Sequence, residues 1–507
     1  MNAKLKHPVL NKSSAIYHKL DIQTKSRETA DFNFAQPLSV KQFKPKKARK
    51  IMTNVQSKFS PIFCTCREFL HPWTDSCTVS TADILINSVP QSIRIYAIVY
   101  ALSLVMRHRI PTQLDLKRTL LGIIQSTAFL STNSFTFVLY VCLFRNVIGK
   151  FYFLSNTFLP AYLASLTAIY IERPVRRPLL ALYVANVATE TIWRMAESRG
   201  FVKSIPKGQA IIFGVSVSVL LYLYRLGLHN TEHCKDSIFD ILRIFVGKDE
   251  ECMTEKERPM VTPAAVGPES VNNTSISRAV RTYLMCLRWL KGKHDCCPHR
   301  EGCLQYALMG GVKPFIGGVG LQVVLKIVLN ARKILSGRMN LQKNIFDAKT
   351  LGLGIFLGSF SFLYKGVSCT LRNIMGKDDA RYAIPAGLFG SIAFTQYPDI
   401  TVALYVMWKS LQIVYNFGES KKKLPKVRGF LIFLYCFCTA TLFHAAIIEP
   451  LNLRPSYYKF LHSLSGGRVG MFNRTFLDVW GLESSVALRE VMKRTGTEKL
   501  PKKLLGA

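Results

Sequence analysis

The sequence predicts an all-α fold, namely a polytopic helical membrane protein built from two tandem homologous helical repeats. Three runs without a charged residue, at 119–144, 151–171 and 429–448, each approach or exceed the roughly 20 apolar residues that a helix needs to cross a bilayer. One soluble domain has no room for three such helices in its core. Segments of the first half also recur in the second half at a nearly constant offset, which indicates an internal duplication.

The duplication is clearest around one short motif. Arg145 and Lys150, with an Asn and a Gly between them, recur as Arg372 and Lys377, and the second copy continues with Asp378. Pro-Ala pairs follow both copies, at 160–161 and 385–386. Duplicated membrane units often meet at a pseudo-twofold axis, so we expect the two halves to pack against each other.

The formal net charge of +36 places the chain among strongly basic proteins. Its lysines and arginines lie in loops and tails that flank the apolar runs. This placement favours contact with anionic lipid headgroups over nucleic-acid binding. We therefore expect membrane lipids as partners and no nucleic acid; the oligomeric state is not indicated.

Composition divides the chain into five regions. Residues 1–60 are predicted to be a basic disordered arm, 61–250 a first cysteine-led helical membrane repeat, and 251–290 a linker with a basic amphipathic helix at 276–289. Residues 291–470 form the second helical membrane repeat, and 471–507 a basic C-terminal tail.

Each repeat is predicted to hold five apolar segments. In the first they are 93–106, 119–144, 151–171, 179–195 and 210–228, and in the second 303–329, 351–367, 382–394, 400–417 and 429–448. If all five cross the bilayer, the repeats are inverted, and if one lies in the interface, they are parallel. The sequence leaves both arrangements open, together with the membrane orientation.

Each repeat opens with a group of cysteines and a histidine. Zinc prefers four thiolate or imidazole ligands, but neither group has the usual CxxC spacing. Packed or redox-sensitive thiols are the alternative interpretation, and the two groups together could build one shared site. Cysteines inside apolar runs, including Cys142 and Cys369, are interpreted as buried structural thiols. The candidate ligands are Cys64, Cys66, His71, Cys77, Cys296, Cys297, His299 and Cys303.

The fourth segment of the first repeat carries a polar stripe. Asn186, Glu190 and Arg194 are spaced to lie on one face of a helix. Charged groups facing lipid are costly, so the stripe must face protein, water or headgroups. It is either a local Glu-Arg pair on an interfacial helix or the polar lining of a path between the repeats.

Small residues recur four positions apart at matched places in the two repeats. Such spacing lets transmembrane helices approach closely, so we assign these residues to helix packing. They are Thr127, Ser131, Ala161, Ser165, Gly354, Gly358, Ala386 and Gly390.

The sequence contains no nucleophile elbow, no zinc-protease motif, no P-loop and no dinucleotide fingerprint. We therefore expect no catalytic residues, no cofactor and no enzymatic activity.

Several short stretches resemble the transmembrane protein 135 family, also called the peroxisomal membrane protein 52 family. They lie in the same order along about four hundred residues, at 71–72, 92–97, 149–152, 171–173, 185–191, 245–248 and 453–457. The resemblance implies a protein of mitochondrial and peroxisomal membranes that acts in mitochondrial fission and fusion, peroxisome organisation and lipid homeostasis. It also implies the fission machinery and peroxisomal membrane import factors as partners.

Residues 351–400 are also similar to the translocase superfamily of Tim17, Tim22 and Tim23. The shared pattern is a set of spaced glycines, an arginine, the Lys377-Asp378 pair and an Ala-Gly step. This similarity implies a compact helical hairpin pair. The alternative function is accordingly a channel or transporter for lipids or small molecules, with a polar path between the two repeats.

Overall fold

The computed structural model describes residues 60–105, 112–228, 236–251, 292–294, 296–335 and 348–498. The predicted basic arm, apart from Ser60, and the predicted amphipathic helix at 276–289 lie outside these residues. The end of the predicted C-terminal tail, from residue 499, lies outside them as well.

Within the described residues the secondary structure is helical, with one isolated antiparallel bridge between Ile62 and Phe151. The first half contains α1 (Cys66–Phe69), α2 (Cys77–Val105), α3 (Gln113–Ile148), α4 (Phe153–Asn156), α5 (Phe158–Ile171), α6 (Arg177–Ser198), α7 (Gly208–Arg225) and α8 (Ser237–Val246). The second half contains α9 (Cys303–Leu335), α10 (Ala348–Met375), α11 (Ala383–Gly390), α12 (Ile400–Ser420), α13 (Phe430–Ile448), α14 (Pro455–Leu464) and α15 (Ser484–Thr495).

All ten predicted apolar segments coincide with helices. The largest difference is α2, which starts at Cys77 although its apolar run starts at Ile93. The earlier turns carry small polar side chains, and Ser80, Ser88 and Ser92 are fully buried among neighbouring helices. Hydropathy therefore misses the first half of α2, because serine is too polar to count as an apolar residue.

The membrane character of the chain follows from six helices that are long and apolar enough to cross a bilayer. They comprise α3, the α4–α5 segment, α7, α9, α10 and α13. On α9 large apolar side chains point outward, and Ile316, Val324 and Val328 are each more than half exposed. A soluble protein would bury such a surface, whereas lipid tails cover it without cost. The all-α membrane fold is therefore confirmed.

The fifth long helix of each half packs against helices of the other half, and we call α7 and α13 the exchanged helices. Helix α7 of the first half packs against α11 and α12 of the second, while α13 of the second half packs against α5 and α6 of the first. Helices α6 and α12 touch between these two groups. The two largest apolar clusters consequently contain side chains from both halves, such as Phe129 with Tyr435 and Phe213 with Phe394.

Helices of the two halves follow in the same order and make corresponding contacts, as a duplication would require. The duplication itself stays a prediction. Residues 471–498, predicted as part of a basic tail, instead form a 3₁₀ segment (Arg474–Trp480) and α15, which pack on the bundle. Trp480 is buried and donates a hydrogen bond to the Ser60 carbonyl, which explains why this segment is folded.

Candidate metal centres and buried ion pairs

The first cysteine group is assembled at one end of the α2–α3 hairpin. A capping box between Thr65 and Glu68 starts α1 and places Cys66, and the following loop brings His71 back to it. Cys77 is the first residue of α2, and Cys142 lies in the second-last turn of α3. One ligand atom from each of Cys66, His71, Cys77 and Cys142 lies within 4.8 Å of all the others.

The second group has the same residue types in the same order. Cys297 and His299 lie in the loop before α9, Cys303 is the first residue of α9, and Cys369 lies near the end of α10. Their ligand atoms also lie within 4.8 Å of one another. The Sγ atoms of Cys297 and Cys303 are 3.7 Å apart, close to the edge of about 3.8 Å that a tetrahedral zinc–thiolate centre implies.

Both histidines are oriented by a backbone carbonyl. Nδ1 of His71 donates to the Thr74 carbonyl at 2.8 Å, and Nδ1 of His299 donates to the Glu301 carbonyl at 2.7 Å. A carbonyl can only accept, so the proton is on Nδ1 and the Nε2 lone pair is free for a ligand. Nε2 of His299 lies 3.3 Å from the Cys369 Sγ. Nε2 of His71 is buried without a hydrogen-bond partner among the described residues.

The thiols outside the spans differ in acidity. A hydrogen bond from the Cys142 thiol lowers the pKa of Cys66, against the effect of burial, and His71 lowers it further. In the second group a hydrogen bond from Cys369 lowers the pKa of Cys297 in the same way. Burial raises the pKa of Cys64 to about 12. One thiolate per group is thus favoured, whereas Cys64 stays protonated.

Sequence reasoning found only part of these centres. It proposed Cys64 and Cys296, which lie outside the two groups of four, and it assigned Cys142 and Cys369 to packing. The sequence left open one shared site, whereas the structure shows two separate groups of four possible ligands. The missing signal was present: Cys142 and Cys369 are separated by the same offset as Arg145 and Arg372.

A buried charge network lies beside the second group. Arg372 is fully buried and donates to Glu250 and to Asp378, each at 2.7 Å. Arg225, at the end of α7, also pairs with Asp378. Arg225 of α7 and Arg372 of α10 both pair with the Asp378 carboxylate, so the network joins these two helices.

The matching motif in the first half has different partners. Arg145 donates to the Cys64 carbonyl at 2.7 Å, and its guanidinium lies 5.6 Å from the centre of the Phe151 ring. Phe151 is the sequence counterpart of Asp378, so Arg145 meets an aromatic ring where Arg372 meets a carboxylate. Lys150 lies over Phe63 at 4.8 Å, whereas Lys377 is exposed.

The polar stripe of α6 faces the second half of the protein. Asn186 donates to the Thr401 carbonyl at the start of α12 at 2.9 Å. Glu190 is buried and pairs with both Arg194 on its own helix and Arg454 at the start of α14. Arg194 is the most exposed member of this set.

A second ion pair makes the corresponding connection with the opposite polarity. Lys409 in α12 pairs at 2.5 Å with Asp236, the residue that caps α8. Glu190 of α6 thus binds the start of α14, the short helix after α13. Lys409 of α12 binds the start of α8, the short helix after α7. The sequence did not indicate these contacts, because Arg454 and Asp236 are far along the chain from their partners.

The small residues assigned to packing lie at helix contacts. A Cβ on Gly354 would lie 2.5 Å from the Val319 side chain, and one on Gly358 would lie 2.8 Å from Phe315, so α9 and α10 touch through their backbones. Gly390 faces Phe360, and Ala386 is fully buried. In the first half Thr127, Ser131, Ala161 and Ser165 are all buried.

The fold and these sites together define a polytopic helical membrane protein with one Cys₃His group in each half. Residues 63–197 match the family model of the N-terminal cysteine-rich region of Transmembrane protein 135. This part of the chain is therefore similar to that family, and the match includes all four residues of the first group. No solved structure matches the chain.

Proposed function

We propose that the protein is a multi-pass organelle membrane protein that regulates the balance of mitochondrial fission and fusion and the organisation of peroxisomes. The proposal includes residence in mitochondrial and peroxisomal membranes and a non-enzymatic mode of action. Its support is the family match together with the resemblance of the short stretches along the chain.

The polar stripe of α6 favours a scaffold over a transporter, because its buried polar groups are already bonded to other parts of the protein. Glu190 is held between two arginines from different halves, and Asn186 bonds to a backbone carbonyl of α12. A polar group that lines a path must be reachable by water or cargo. Here the charged groups instead fix how the two halves pack, which suits a rigid platform in the membrane.

The loop between α12 and α13 offers such a platform a contact surface. It is exposed throughout and carries five positively charged residues, namely Lys421, Lys422, Lys423, Lys426 and Arg428. Clusters of this kind bind anionic headgroups or acidic partner proteins. The proposed partners are therefore membrane lipids, the mitochondrial fission machinery and peroxisomal membrane import factors.

The proposal is tested in cells that lack the chain. Re-expression is expected to change mitochondrial length and peroxisome number, and a variant with the five loop cations changed to Gln is expected to reach the membrane without restoring either. A matched control carries Lys493→Gln and Arg494→Gln on α15, two exposed cations outside the loop. Unaltered organelles on re-expression of the unchanged chain would refute the proposal.

One observation favours a second candidate, a lipid-translocating protein. An apolar cavity lies between the α2–α3 hairpin and the α13–α14 segment, lined by Phe137, Phe443 and Leu464 among others. Its lining matches the chemistry of an acyl chain, and the cavity would have to widen from its free volume of about 30 Å³ to hold one. Protein-dependent lipid scrambling in reconstituted vesicles, altered by Glu190→Gln and Arg454→Gln, would favour this candidate over the scaffold.

A further inference from the structure

We propose that each Cys₃His group binds one Zn²⁺ ion as a structural centre. The first ion would be held by the Sγ atoms of Cys66, Cys77 and Cys142 and by Nε2 of His71. The second would be held by the Sγ atoms of Cys297, Cys303 and Cys369 and by Nε2 of His299.

The donor set selects the metal. Three thiolates and one imidazole are soft to borderline ligands that calcium and magnesium do not accept. Four protein ligands close a tetrahedron and leave no open position, which is the pattern of structural rather than catalytic zinc. The 4.8 Å limit on all ligand-atom pairs and the 3.7 Å separation of Cys297 and Cys303 suit a single ion at their centre.

The histidines supply an independent observation. Nε2 of His71 is buried with no hydrogen-bond partner among the described residues, although Nδ1 is bonded to a carbonyl. A buried polar atom without a partner costs about 1–3 kcal/mol, and a metal ion bound to Nε2 would remove this cost. Zinc-binding histidines have this arrangement, since the carbonyl fixes the ring while the other nitrogen faces the metal.

The same assembly occurs twice. In both halves the segment before a long helix supplies one cysteine and the histidine, the start of that helix supplies the second cysteine, and the end of the next long helix supplies the third. Both histidines donate Nδ1 to a carbonyl two or three residues later. Buried cysteines placed only for packing have no reason to converge on one tetrahedron in each half.

Zinc at these positions would clamp the ends of two helical hairpins. Each centre ties a loop and the first turn of α2 or α9 to the last turns of α3 or α10. Helices in a bilayer associate without a hydrophobic drive, so a metal crosslink adds stability that apolar packing does not supply. Both centres lie at the ends of their hairpins.

The metal content of the full-length protein, purified in detergent without added metal, tests the proposal. We expect two zinc ions per chain, one in Cys142→Ser or Cys369→Ser, and none in the double variant. Cys436→Ser and Cys438→Ser, which change buried thiols of α13 outside both groups, should leave two. Zinc-free protein, or stoichiometric iron in place of zinc, would overturn the assignment.

X-ray absorption at the zinc edge of the unchanged protein gives a result that does not depend on how the variants fold. We expect three sulfur ligands at about 2.3 Å and one nitrogen at about 2.0 Å. A shell dominated by oxygen or nitrogen would mean that the zinc is bound elsewhere, and the proposal would then be wrong.

Discussion

Several buried charges in this protein are paired so that each depends on its partner. Arg372 and Glu250 are both completely inaccessible to solvent, and Tyr306 donates a further hydrogen bond to Glu250 at 3.3 Å. Desolvation makes such a pair a weak source of net stability, but removing one partner leaves an uncompensated charge in a medium of low dielectric constant.

Replacing Arg372 alone is therefore expected to be severe. We predict that Arg372→Met lowers the free energy of unfolding by about 3–5 kcal/mol, because Glu250 then loses its cation. The double change Arg372→Met with Glu250→Gln should recover part of this loss. Thermal unfolding in detergent measures both, with Lys377→Ala at the exposed motif lysine as the control that should change little. A double variant less stable than the single one would contradict the pairing.

For individual side chains, the sequence indicated which residues are important better than it indicated which residues they contact. The Glu190–Arg194 pair was predictable because both residues lie one helical turn apart. Arg454, which completes it, lies 264 positions away, and no local pattern indicates such a contact. Glu250 and Arg225 were missed for the same reason, since their partners come from the other half of the chain.

Helix packing determines the next level of organisation. In the α9–α10 pair the Cα of Gly354 would lie only 2.9 Å from a Cβ added to Gly318, so the backbones are nearly in contact. Small residues at four-residue spacing predicted this contact on the α10 side. The sequence could not reveal which helix would provide the opposing glycine, because several neighbours also contain small residues.

A larger side chain at this contact should separate the helices. We predict that Gly354→Val lowers the free energy of unfolding by about 1–3 kcal/mol, since the new atoms collide with Val319 and with the Phe315 carbonyl. Gly366→Val on the same helix is the matched control, because a Cβ there meets nothing within 4 Å. Equal melting temperatures for the two variants would show that α9 and α10 do not approach as closely as described.

The exchange of the fifth helix can be tested by crosslinking. The rings of Phe158 in α5 and Phe437 in α13 are 5.8 Å apart. We predict that cysteines at both positions, joined by a short bismaleimide, keep the two halves together after cleavage at a protease site placed between residues 251 and 292. Each single cysteine variant serves as the control. Two separate fragments from the double variant would contradict the exchange.

The whole molecule is a bundle in which each half completes the other. Helix order and corresponding contacts, including the ion pairs of Glu190 and Lys409, are those expected of a pseudo-twofold arrangement. The sequence predicted the fold class and the ten segments, because hydropathy and self-similarity are local signals. The exchange of α7 and α13 depends on long-range packing and had no such signal.

The helix count indicates how the halves are oriented. Among the residues that the structure describes, five long helices, α2, α3, α5, α6 and α7, separate the first cysteine group from the second, and three of them belong to the apolar candidate spans. Both numbers are odd, so the chain would begin its second half on the opposite side of the bilayer. We therefore expect inverted halves, with the two Cys₃His groups at opposite membrane surfaces.

The most direct test compares two corresponding exposed loops in intact organelles. A short epitope is inserted between Gly200 and Phe201, after α6, or between Lys422 and Lys423, after α12. The account predicts that an antibody or protease that cannot cross the membrane reaches only one of the two epitopes, and reaches the other after permeabilisation. Access to both epitopes from the same side of the sealed membrane would contradict the inverted bundle.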